Sequence, residues 1–257
     1  MAKKSKSNII PGIHNYCDRW CERCAFVSRC SVGIAEMKMT DAQRDVDNEA
    51  FWKNLAGMYK KTIQLIRKTA KEQGFDLDEV INSEENIREV EEKKARREDS
   101  KKHFLWVGGM QYVKMLEKWM KKHEKFDEKG KELLAHFEMG IKNEEESINE
   151  SKTIIDCVEV VRWYSHFISV KFMRSLSGKE EDKWFEENGF QKDSLGSAKV
   201  ALIAVERSME AWSRLREYFD DSDDEILLML AQLERIKRTA EKEFPDAWKF
   251  KRVGFDD

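Results

Sequence analysis

A chain of 257 residues in which 38% are charged, with only two prolines and 12 glycines, is rich in helix formers and poor in breakers. This points to an all-α protein and away from a sheet protein. Its 47 basic and 50 acidic residues leave a formal charge of −3, which lacks the electrostatic footprint of a nucleic-acid binder. The longest aliphatic run, "VALIAV", falls far short of the ~20 apolar residues that span a bilayer.

The chain opens on a basic stretch, "AKKSK" (residues 2–6), which reads as a solvated tail. No apolar segment of the kind an export signal needs follows it, so a reducing cytoplasm is the expected location. In that setting crowded cysteines serve as metal ligands or redox groups rather than disulfides. Behind the tail lies "HNYCDRWCERCAFVSRC", His14 to Cys30, holding four of the five cysteines in the pattern C-x3-C-x2-C-x5-C. Four thiolates held this close repel one another unless a metal neutralises them. Zinc takes four thiolates tetrahedrally, but its sites usually come as two C-x2-C knuckles separated by a longer loop. The short, uneven spacing here suits a [4Fe–4S] cluster met by successive turns of one loop. Cys17, Cys21, Cys24 and Cys30 are therefore the expected ligands, with zinc as the alternative metal. Arg19, Arg23 and Arg29 would offset the thiolate charge, Trp20 and Phe26 would shield the site from water, and His14 stands close enough in sequence to substitute as a ligand.

Within that segment Cys21, Cys24 and Cys30, spaced C-x2-C-x5-C with Phe26 after the second cysteine, resemble the iron–sulfur staple of certain nucleases of the restriction-endonuclease-like class. The resemblance covers about ten residues and implies a [4Fe–4S] cluster with these three cysteines among its ligands. In that family the fourth cysteine comes from far away, whereas Cys17 is local. The strands carrying Asp and Glu-x-Lys that form the nuclease core are not visible, so the cluster type is implied and the nuclease activity is not. "CDRWCERC" also matches the C-x3-C-x2-C of radical S-adenosylmethionine enzymes, but no strands are evident to build the barrel which that family needs.

Downstream, capping signals divide the chain into helices. Thr40-x-x-Gln43 reads as a capping box opening a helix with Phe51, Leu55, Met58, Leu65 and Ile66 on one face, closed by Gly74. A second helix starts near Asp76 and runs into "EEKKARREDSKK", either a solvated helix end or a connector. A third, "FLWVGGMQYVKMLEKWMKKH", carries a Gly108-Gly109 pair expected to kink it. A shorter helix, "KELLAHFEMGI", follows Gly130. Ser147-x-x-Glu150 reads as the box opening the most apolar helix, closed at Ser177-Gly178, with Asp156, Glu159, Arg162, His166 and Ser169 on one polar stripe. Asn188-Gly189 is a turn, Asp193 or Ser194 caps the next helix, and Ser222-x-x-Glu225 opens the last, stopped by Pro245. Trp52, Trp119, Trp163 and Trp212 occupy expected core positions, and Cys157 is expected to be a buried thiol.

The fold expected is an all-α bundle of about six antiparallel helices (40–257) carrying an N-terminal four-cysteine metal-binding module (1–39). None of the five histidines has Glu three residues before it, so the Glu-x-x-His pairs of a di-iron bundle are missing. The function expected is a metal-binding helical protein, more an accessory than an enzyme, whose cluster is structural or passes electrons to an unidentified protein partner. The alternatives are a zinc-stapled interaction module, or an enzyme with its site at Glu159, Arg162 and His166.

Overall fold

Helices account for all the regular structure among the described residues. The computed structural model describes residues 8–219 and 222–256, apart from the side chains of His123 and Glu124. The basic stretch at residues 2–6 lies outside them. The chain divides into two compact units: one runs up to Ala95 and takes in the segment from Val253 onward, and the other is Arg96–Arg252.

The first unit begins with the cysteine segment and a short helix α1 (Ser31–Met37). Thr40 and Gln43 form the expected capping box, Thr40 Oγ1 accepting from Gln43 N and Gln43 Oε1 from Thr40 N. The helix it opens, α2 (Asp41–Arg44), lasts a single turn. The long helix begins anew as α3 (Glu49–Glu72), because Asn48 caps it afresh by accepting from Ala50 N at 2.9 Å. Gly74, left-handed at φ 79°, ends it by letting Phe75 N reach back to Ala70 O. Asp76 then caps α4 (Leu77–Ile81) through two backbone amides. The charge run is helix, not connector: α5 (Glu84–Ser100) continues through it, supported by the i,i+4 pairs Glu89–Lys93 and Arg88–Glu92.

The second unit is built on a ring of four helices. α6 (Phe104–Met120) packs on α8 (Glu144–Ser177), α8 on α10 (Asp193–Arg216), α10 on α11 (Asp223–Glu243), and α11 back on α6. Paired side chains fix the directions. Tyr164 meets Arg207 while Ser175 meets Ser194, so α8 and α10 run antiparallel. Glu206 meets Lys237 while Arg216 meets Asp223, so α10 and α11 do too. Gln232 bonds Gly108 O while Glu225 pairs with Lys122 just past α6, which closes the ring antiparallel. Four helices form the ring; α7 (His123–Glu138) packs outside it on α8, and α9 (Asp182–Glu187) is a short link.

The interior follows the apolar periodicity. Val161, Tyr164, Ile168 and Phe172 of α8 are fully buried, as are Leu202, Val205 and Leu215 of α10 and Ile226, Leu233 and Ile236 of α11. Trp119 and Trp212 cross edge-to-face at 4.9 Å, a geometry worth about 0.5–1.5 kcal/mol beyond burial. Trp212 Nε1 donates to Tyr112 Oη at 2.9 Å, and burial pushes that phenol well above its usual range. Trp52 and Trp163, expected in the core, are exposed instead.

Several boundaries depart from expectation. Gly108-Gly109 does not interrupt α6; the pair admits neighbours. A Cβ on Gly109 would lie 2.8 Å from Ser169 Cβ, and one on Gly108 would lie 3.0 Å from Gln232 Nε2. α7 runs straight through Gly130. The box that opens α8 sits one turn earlier than expected, where Asn143 and Glu146 exchange backbone bonds at 2.9 Å. Neither Asp193 nor Ser194 caps α10: Asp182 of α9 accepts from Ser194 N and Oγ, while Arg174 holds Asp193. At α11, Ser222 makes no cap bond; its hydroxyl takes Lys125, and Glu225 takes Lys122 and Lys125.

Candidate metal centre

The cysteine segment winds as three successive turns, each fixed by local backbone bonds. Asp18 Oδ1 accepts from Trp20 N at 3.2 Å, and between them Arg19 takes a left-handed backbone at φ 62°. A first 3-10 turn, Cys21–Arg23, closes as Cys24 N reaches Cys21 O. A second, Val27–Arg29, closes as Cys30 N reaches Val27 O. Cys30 then caps α1, its Sγ accepting from Gly33 N at 3.4 Å. Gly33 is required there, since a Cβ would lie 3.0 Å from Val27 O. Each cysteine from Cys21 onward thus stands where a turn begins or ends.

These turns bring Cys17, Cys21, Cys24 and Cys30 to the wall of one cavity of about 310 Å³, counting its open mouth. Cys30 is buried and the other three are half-buried, and none of the four is in a disulfide. Burial pushes the Cys21 thiol up, reinforced by Glu36, Cys17, Glu22 and Cys24 around it. Among the described residues, no group of three or more His, Cys, Asp or Glu side chains is arranged to hold a metal ion.

The rest of the wall is largely aromatic and apolar, with His14, Asp18 and Arg19 as its polar members. Trp20 and Phe26 line it as expected, and Arg23 stacks over the Trp20 ring at 4.1 Å. Arg19, Arg23 and Arg29 are exposed around it. His14 lines the cavity, and its Nδ1 is buried without a hydrogen-bond partner. Cys17 Sγ donates to the carbonyl of His14 at 3.5 Å. Sequence reasoning missed Phe255, which lines the same cavity and meets Phe26 edge-to-face at 5.1 Å. Beside it Gly254, left-handed at φ 78°, fits where a Cβ would lie 2.9 Å from Ile13. No local signal in "RVGFDD" announces that return, since it depends on where the chain has travelled.

The other candidates lie elsewhere. Cys157 is buried in the second unit and its thiol is pushed up by burial. Glu159, Arg162 and His166 are all exposed on α8, while Ser169 of the same expected stripe is fully buried against Gly109. Among the described residues, no helix is long and apolar enough to cross a membrane. No protein-family model, no curated protein and no solved structure matches the chain.

Proposed function

We propose that this is a metal-binding helical protein whose Cys17, Cys21, Cys24 and Cys30 hold a [4Fe–4S] cluster, with a structural role or a role in passing single electrons to a protein partner. The observation that carries the reading is the arrival of all four thiols at one cavity by three consecutive turns. A cluster of this type supplies one-electron chemistry at a potential set by the hydrogen bonds, charge and solvent around its sulfurs. The chain's own part is to hold it. Cys30 comes with its sulfur already oriented by Gly33 N–H, and Trp20 and Phe26 restrict water.

The short, uneven spacing of the four cysteines along successive turns of one segment favours a multi-iron body over zinc, whose thiolates usually come as two separated knuckles. Free thiols in this number also suit a reducing compartment, in keeping with a cytoplasmic protein. The solvent exposure of Glu159, Arg162 and His166 removes the desolvated pocket that an active site on α8 would need.

Anaerobic purification tests the reading. The expected product is brown, with a broad visible absorbance and close to four irons and four sulfides per chain. A colourless protein carrying one zinc per chain overturns it.

A further inference from the structure

Ile10 N reaches Arg29 O at 2.9 Å, which ties the segment before the cysteines to their second 3-10 turn. Gly12 then turns the backbone through a left-handed φ of 77°, and Asn15 N closes the turn on Gly12 O at 3.0 Å. This turn seats Ile13 in the interior and sets His14 on the wall of the cavity that the four thiols share. Cys17 Sγ, donating to the carbonyl of His14 at 3.5 Å, secures that placement from the other side. The backbone of His14 is thus fixed by its neighbours, while its Nδ1 is buried with no hydrogen-bond partner among the described residues.

A buried polar atom left unpaired costs about 1–3 kcal/mol, so native folds satisfy such atoms with protein, water or a bound group. An ordered water needs roughly two to four polar partners, and this wall offers few side-chain ones. Of its other polar members, Asp18 accepts from Trp20 N through Oδ1 and Arg19 is exposed. Aromatic rings, aliphatic groups and sulfurs make up most of the rest. A bound group is the better partner for Nδ1. With the four thiolates on the four irons of the proposed cluster, a fifth donor finds no iron left to bind. What it meets is sulfur, which carries negative charge and accepts hydrogen bonds. Gly33 N already serves Cys30 Sγ in this way.

We propose that His14, as its Nδ1–H tautomer, donates a hydrogen bond to a sulfur of the cluster and thereby raises its reduction potential. The proposal rests on the [4Fe–4S] reading above. The reduced cluster carries one more negative charge than the oxidised one, so a hydrogen bond to sulfur favours the reduced form. Anaerobic redox titration of the reconstituted full chain, with iron counted in the same samples, tests it. His14→Phe keeps a ring and removes the donor, whereas His14→Asn keeps an N–H at the Nδ1 position. All three proteins are expected to hold about four irons per chain. In His14→Phe the reduction equilibrium falls on the order of tenfold, about 59 mV for one electron, while His14→Asn stays close to wild type. His14→Leu removes the donor with a different shape, so the comparison survives if phenylalanine fails to pack. An unchanged potential in a loaded His14→Phe or His14→Leu overturns the proposal, as does a fall in His14→Asn equal to theirs. Loss of iron from every variant, with the wild type loaded, overturns it in favour of His14 as an iron ligand. A wild type that takes up no iron overturns the cluster reading itself, an outcome seen before any variant is made.

Discussion

Cys24 and Cys157 are chemically identical, and their surroundings give them different fates. Cys24 shares a cavity wall with three other thiols, while Cys157 is buried in α8 apart from them, its thiol pushed up by burial. Cys24→Ser is therefore expected to abolish metal binding, measured as iron per chain after anaerobic reconstitution. Cys157→Ser is expected to leave iron content unchanged and to lower the melting temperature of the bundle slightly. At this scale the gathering of the four thiols on one cavity wall was legible from their spacing alone, because residues so close in sequence stay close in any local fold. The tryptophans were not: Trp119 and Trp212 are buried while Trp52 and Trp163 are exposed, although all four recur at helical spacing. Periodicity identifies which face is apolar and leaves open whether anything packs against it.

Among the elements, two glycines in helices give opposite expectations. Gly→Ala in a helix normally stabilises by up to about 1 kcal/mol, and Gly57 in α3 has nothing within 4 Å of an added Cβ. Gly57→Ala is expected to raise stability by that order. Gly109→Ala would put its Cβ 2.8 Å from Ser169 Cβ and 3.2 Å from Ser169 Cα, where backbone must shift, so a loss of about 1–3 kcal/mol is expected. Chemical denaturation of both variants checks the sign of each. Helix existence and most helix ends were readable for local reasons: Gly74, Asp76 and Gly178 stop or start helices by contacts within a few residues. The start of α8 and the capping bonds of α10 and α11 departed from expectation for a physical cause, although Ser222 does stand at the N-cap of α11. At α8 Asn143 offered an equally good box one turn earlier, and at α10 and α11 the expected caps were taken by Asp182, Arg174 and Lys125 from other segments.

For the molecule as a whole, the ring of four helices is tied at its ends by carboxylates held by lysines. Lys122 holds Glu225 and Lys179 holds Glu243 below the usual carboxylate range, each first through a hydrogen bond. A carboxylate whose folded pKa lies below its unfolded value of 4.5 adds stability above that pH and loses it as pH falls through the folded value. The second unit is accordingly expected to weaken below about pH 4.5, and Glu225→Gln to flatten that loss, as followed by melting temperature against pH. The pair is partly exposed, so its share is at most about 1 kcal/mol. The return of Gly254 and Phe255 to the cysteine segment has a consequence in time. On the ribosome the four cysteines emerge about 225 residues before Phe255. At roughly 5–20 residues per second, that delay is about 10–45 s. Throughout it the cavity lacks the ring that packs on Phe26, and the thiols stand more open to oxidants than they ever do again. On the proposed [4Fe–4S] reading, loading of a nascent chain competes with oxygen, and Phe255→Ala is expected to extend that vulnerable interval to the protein's whole lifetime, measured as faster loss of visible absorbance in air.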